Sequence, residues 1–202
     1  MKKILLVGLL ILGACSGNND DKFDYTTKDT TNNPICRTVI KFSKEKTWWY
    51  DANYYKIAYP NGDVPGGGAC TDVVIRVLRA NGMNLQQLIH EDMEAHFREY
   101  PSKWGLTHTD PNIDHRRVPN IMHYFSKMGY TKPMTKNMND YEPGDIICWT
   151  LSPGHTHIGI LLNKQGDVYH NMGPKAMISE NFLFVYEMIG HYRIVLPKAS
   201  GI

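Results

Sequence analysis

The chain has little excess of charge of either sign, with 22 Lys and Arg against 20 Asp and Glu. Without a strong basic surplus there is no electrostatic footprint for nucleic acid. Beyond Leu12 no apolar run approaches the roughly 20 residues that a membrane-spanning helix needs. No segment repeats, and no H-E-x-x-H places two histidines one helical turn apart for a metal. Cysteine is scarce as well, at four residues.

What is present begins with an export signal. Met1-Lys2-Lys3 is basic, and Ile4 to Leu12 is an apolar core too short to span a bilayer. Leu12-Gly13-Ala14-Cys15 resembles a bacterial lipobox. That implies a signal peptide over residues 1–14, cleavage before Cys15 and lipid on its sulfur. Losing Lys2 and Lys3 leaves 20 residues of each sign. Residues 15–33 are polar with little to bury and read as a tether, about 25 Å from end to end. The expectation is an exported lipoprotein at the outer membrane, facing the periplasm or the cell surface. It would touch the membrane through its lipid anchor alone.

Residues 34–202 suit one domain. Ile35 to Tyr55 predicts a helix followed by an aromatic turn. Tyr59 to Gly68 is a loop dense in Pro and Gly. Val73, Val74, Val77 and Leu78 form a helical stripe that Asn81-Gly82 ends. Leu85 to Tyr100 predicts a second helix, closed by Pro101. Val118 to Met128 predicts a third, with Pro119 in its first turn. The last third changes period: 145–150, 157–163, 167–172 and 191–196 read as short strands. Helices followed by an antiparallel sheet make an α+β fold.

Two stretches carry chemistry. In Gly66-Gly67-Gly68-Ala69-Cys70 a glycine run leads a cysteine into a helix start, where unpaired N–H groups and the helix dipole favour a thiolate. In His157-Ile158-Gly159-Ile160-Leu161 a histidine opens a strand, well placed to serve as base for such a thiol. The pair points to a cysteine hydrolase. His155, two residues earlier, would share the face of His157 and is its rival. Glycines such as Gly68 would let a substrate backbone come close. Asp114-His115 with Arg116-Arg117 reads either as a helix cap with a solvated basic pair or as a clamp, in which Arg116 would grip a substrate carboxylate with its two-pronged fork. Of the remaining cysteines, Cys36 and Cys148 could pair and leave one free thiol.

The order of these features resembles the NlpC-type, papain-like cell-wall cysteine peptidases. The likeness rests on Gly66 to Asn81, on Pro143-Gly144-Asp145-Ile146-Ile147, and on His157-Ile158-Gly159-Ile160-Leu161 followed by Val168-Tyr169-His170-Asn171. Ala69-Cys70-Thr71-Asp72 departs from the family's D-C-S-G. A likeness over nearly the whole domain is to an uncharacterised bacterial domain-of-unknown-function family. It is carried by Tyr59-Pro60, Gly62-Asp63-Val64-Pro65, Cys70 to Arg76, His90 to Met93, Asn112 to Asn120 and Gly190-His191-Tyr192-Arg193.

The resemblance implies a papain-like fold with Cys70 as nucleophile and His157 as base. His170 would orient His157, with Asn171 taking that role if the register slips by one. Tyr50 would stand near the thiol. It also implies amide bonds of peptidoglycan peptides as substrate, and no cofactor. Two alternatives stay open: a non-catalytic cell-wall binding domain, and a zinc hydrolase drawing on His155, His157, His170, His115 and Asp114.

Overall fold

The computed structural model describes residues 28–197. The expected signal peptide, Cys15 and most of the expected tether lie outside them. Lys28–Asn32 forms a short helix, α1. Asn33 then caps α2 (Pro34–Glu45), its Oδ1 accepting from the N–H groups of Ile35 and Cys36, with Pro34 in the first helical position. The Asn33 amide also donates to the carbonyl of Pro143 at 2.6 Å. The end of the predicted tether is therefore fastened to the domain.

A two-residue strand, β1 (Trp49–Tyr50), pairs in parallel with β2 (Gly67–Gly68). The other helices are α3 (Cys70–Ala80), α4 (Leu85–His96) and α5 (Val118–Lys127). A stripe of Val73, Val74, Val77 and Leu78 was expected on α3. The helix is buried more widely, with Thr71, Asp72, Ile75 and Arg76 also inside. It is the central helix, packed against α2, α4 and the sheet.

Five strands form the main sheet: β3 (Ile146–Ser152), β4 (His155–Leu161), β5 (Val168–His170), β6 (Met177–Ser179) and β7 (Glu187–Tyr192). Their order is β6-β5-β4-β3-β7, antiparallel throughout. The result is the expected α+β architecture. Two strand predictions shift: β7 lies over 187–192 rather than 191–196, and β4 starts at His155, so His155 is a strand residue and not loop. The β4–β5 turn is held by Asn163, whose Oδ1 accepts from the N–H groups of Gln165 and Asp167.

Alternate strand residues face opposite sides. Ile146, Cys148, Ile158, Ile160 and Tyr169 enter the core shared with the helices. On the other side Tyr141, Ile147, Trp149, Leu161, Val168 and Leu183 make a second, smaller cluster. Both faces are covered, which explains why the strands read as continuous apolar runs rather than as an alternation. Asp145 clasps the sheet by accepting from both His191 and Arg193 at the end of β7.

Cys36 and Cys148 are buried free thiols. Cys36 lies against the carbonyls of Leu161 and Leu162, and no disulfide joins it to Cys148.

Candidate active site

Cys70 is the first residue of α3, after Ala69 in an extended conformation. Alanine has no oxygen with which to cap a helix. The cap comes from Asp72, whose Oδ2 accepts from the Ala69 N–H at 2.6 Å. Arg116 grips the same carboxylate with both prongs of its fork, at 2.8 and 3.0 Å, and donates to the carbonyl of Asn53. Three segments are thus bolted together at the cysteine turn. Gly68 is required there for two reasons: its φ is +146°, and a Cβ would stand 2.5 Å from the Asp72 Cβ.

Cys70 is half-buried as a residue but its thiol is turned inward, and α3 packs it against β4, where the backbone N–H of Ile158 lies close enough to act on the sulfur. Burial pushes the thiol up to about 11, the Ile158 N–H pulls it down, and the Asp72 carboxylate raises it again. The expectation of a readily ionised thiolate is therefore corrected. The N–H groups of Cys70 and Thr71 at the helix start lower the thiol as foreseen, but the cost of burying the charge exceeds them. At neutral pH Cys70 is a thiol that needs a base.

His157 adjoins Ile158 on β4 and is buried, leaving the strand on the side of Trp149 and Phe182. Its Nε2 meets His170 Nδ1 at 3.0 Å. His170 lies at the end of β5, with its ring stacked on Phe182. Gly159 makes this meeting possible: a Cβ there would come within 3.1 Å of the His170 Cβ. Burial, and secondarily His170, hold His157 down at about 3; burial holds His170 at about 4. Both rings are neutral at physiological pH. With Nε2 engaged by His170, Nδ1 is the nitrogen of His157 left for a thiol. Among the described residues no hydrogen bond joins that ring to Cys70.

The alternates occupy distinct places. Among the described residues no hydrogen bond joins Asn171 to His157. The Asn171 amide donates to the carbonyl of Gly68 at 2.8 Å, and its Oδ1 accepts from Gly173. His155 is exposed at the β3–β4 turn, bonded to Ser152 Oγ. Tyr50 stands beside the thiol, since β1 pairs with β2 next to the cysteine turn; burial and the charge of Cys70 raise its phenol.

The expected substrate-binding residues are corrected. Gly68 is buried, with Asp72 filling the space beside it. The Arg116 fork is spent on Asp72, so it clamps the cysteine turn and not a carboxylate of a ligand. Asp114 is buried, accepting from the Asp110 N–H and paired with Arg117. His115 is buried too, and burial followed by the charge of Arg116 holds it down at about 3. The polar run before Pro119 gave no hint of burial, and the partner of Arg116 lies 44 residues away in sequence. Among the described residues no group of three His, Cys, Asp or Glu could hold a metal. The five residues of the zinc alternative do not converge.

Ser179 was not foreseen. Its Oγ lies 2.8 Å from His170 Nε2. The only trace in the sequence is a hydroxyl in a short segment, Met177-Ile178-Ser179, that was not read as a strand.

A family model described as "Domain of unknown function (DUF1287)" matches residues 40–194. The chain is 48% identical over 153 residues to "Uncharacterized protein YijF" of Escherichia coli (strain K12), covering 73% of this chain and 74% of that protein. Among solved structures it is similar to "Structure of NlpC2 from Trichomonas vaginalis", at 12% identity and a TM-score of 0.42. That match covers 83% of this chain, which spans about half (51%) of that protein's length.

Proposed function

Because the chain belongs to the family described as Domain of unknown function (DUF1287), whose description assigns no reaction, we propose its function from the site itself: a cysteine hydrolase of amide bonds. The observation that carries this is the buried, hydrogen-bonded His157–His170 pair, with His157 on the strand whose Ile158 N–H points its donor toward the sulfur of a helix-start cysteine.

In the proposed reaction His157 Nδ1 takes the proton from Cys70 Sγ as the sulfur attacks the amide carbonyl. The same proton then passes to the leaving amine, and water releases the acyl group. Sγ and Nδ1 must come within hydrogen-bond reach when substrate binds; catalytic contacts often tighten only then. The N–H groups at the start of α3 are suited to stabilise the oxyanion. Tyr50 flanks the thiol as part of the groove.

The lipobox-like start and the likeness to cell-wall peptidases support peptidoglycan peptides as substrate. This step is analogy from sequence. The same features support an exported lipoprotein acylated at Cys15. Replacing Cys15 by Ser would then abolish incorporation of a palmitate analogue; a wild-type chain that takes up no label removes the anchor.

The hydrolase test is mass spectrometry of purified wall fragments after incubation with the protein. Wild type should release a new amine and Cys70→Ala should not. Cleavage that survives Cys70→Ala overturns the assignment. A non-catalytic binding domain is the second reading, favoured by the raised thiol. Retention of intact fragments without any cleavage would select it.

A further inference from the structure

The relay does not stop at His170. β5 and β6 pair with Val168 opposite Ser179 and His170 opposite Met177. Val168 and His170 share a face, so Ser179 is the diagonal neighbour of His170 on that face. Its Oγ sits 2.8 Å from His170 Nε2, while His170 Nδ1 meets His157 Nε2 at 3.0 Å. The two histidines are buried and Ser179 is half-buried. It is the end of the chain nearest to water.

A neutral imidazole carries one N–H, so the chain can run in two directions. In one, His170 Nε2–H donates to Ser179 Oγ, and His170 Nδ1 accepts from His157 Nε2–H. His157 Nδ1 then holds a lone pair and can take a proton. In the other, Ser179 donates to His170, His170 Nδ1–H donates to His157 Nε2, and His157 Nδ1 already carries its proton. The second direction disables the base. Once His157 has accepted the thiol proton, both its nitrogens carry hydrogen and only the first direction fits. A partner that accepts at His170 Nε2 therefore favours the base-competent tautomer, and favours the charged state even more.

We infer that Ser179 is a positioning residue of the site, accepting from His170 so that His157 presents an unprotonated Nδ1 to Cys70. The inference rests on the cysteine-hydrolase reading. No proton needs to travel along the relay: the proton leaves sulfur, rests on His157 Nδ1, and goes to the leaving group.

The test uses the full chain labelled with ¹⁵N-histidine, in wild type, Ser179→Ala and Ser179→Thr. Imidazole ¹⁵N shifts report the tautomers, and iodoacetamide alkylation of Cys70 reports thiol activation. Wild type should show His170 protonated at Nε2 and His157 unprotonated at Nδ1. Ser179→Ala should lose that preference and slow alkylation about tenfold, the scale of one hydrogen bond to a charged group. Ser179→Thr should restore both. Unchanged tautomers in Ser179→Ala overturn the inference, even if alkylation slows, because the loss would then be structural. Altered tautomers with unchanged alkylation overturn it as well. The shifts are read without substrate, so a failure of the relay is separable from a failure to cleave wall fragments.

Discussion

The side-chain amide of Asn171 donates to the carbonyl of Gly68 across 2.8 Å, joining the residue after β5 to the turn that delivers Cys70. His170, one position earlier, faces His157. Neighbouring residues on one strand end thus serve opposite halves of the site: one fixes the cysteine turn and the other fixes the histidine. Asn171→Ala should destabilise the fold by about 0.5–1.5 kcal/mol, the net worth of one hydrogen bond, because the Gly68 carbonyl keeps its second donor, the Asp51 N–H. The His157 tautomer, read by ¹⁵N shifts, should stay unchanged. Urea unfolding gives the first quantity, and a changed tautomer would move Asn171 into the relay.

Arg116 offers a sharper case. Its fork holds a carboxylate that is itself almost fully buried. Removing it with Arg116→Ala leaves the Asp72 charge unpaired and should cost about 3–5 kcal/mol in urea unfolding. Arg116→Lys should rescue little, since an ammonium cannot reproduce two parallel bonds. A folded Arg116→Ala protein of wild-type stability whose only defect is a raised KM would restore the substrate-clamp reading.

Acid should unfold the protein through its buried histidines. His115, His157 and His170 are held at about 3, 3 and 4, below the ordinary 6.5. Below 6.5 the unfolded chain binds protons that the folded one refuses, so stability is full above that pH and falls as pH drops toward 4. Each histidine contributes a slope of about 1.4 kcal/mol per pH unit over that window. Among the described residues the Nδ1 of His115 has no hydrogen-bond partner, so His115→Phe removes a proton site without breaking a bond there. Urea midpoints at pH 5 and 7 should differ less in that variant than in wild type. An equal difference would show that His115 is not the acid-sensitive group.

Alkaline pH acts on the thiols with the opposite sign. Burial raises Cys70 to about 11 and Cys36 to about 12, above the ordinary 9.0. Stability present below pH 9 is lost as pH rises through these folded values. Without substrate, alkylation of Cys70 should climb steadily between pH 7 and 10. A plateau already reached near neutrality would mean a preformed thiolate–imidazolium pair.

How much of this was legible depends on the range of each interaction. The helix starts were plain because their signals are local: Asn33 with Pro34, and a glycine turn before Cys70. His157 was found because an apolar Gly-Ile-Leu run follows it directly, and His170 through the resemblance of Val168-Tyr169-His170-Asn171 to the peptidase pattern. The roles of Asp114, His115 and Arg116 were not legible, because a charged run reads as solvated until its distant partner is known. Ser179 was missed for the same reason: a short edge strand of Met177–Ser179 has little pattern of its own, and its hydroxyl matters only through β5. The thiol's raised value was missed because sequence shows the helix start but not how deeply it is buried.

The most direct test of the central claim is to catch the acyl group on sulfur. The full chain is mixed with purified wall peptides, quenched with acid and mapped by tandem mass spectrometry. The account predicts an acyl adduct on the peptide containing Cys70, with none on Cys36 or Cys148 and none in Cys70→Ala. Wall peptides cleaved at the wild-type rate by Cys70→Ala, with no adduct on Cys70 in the wild-type protein, would contradict it.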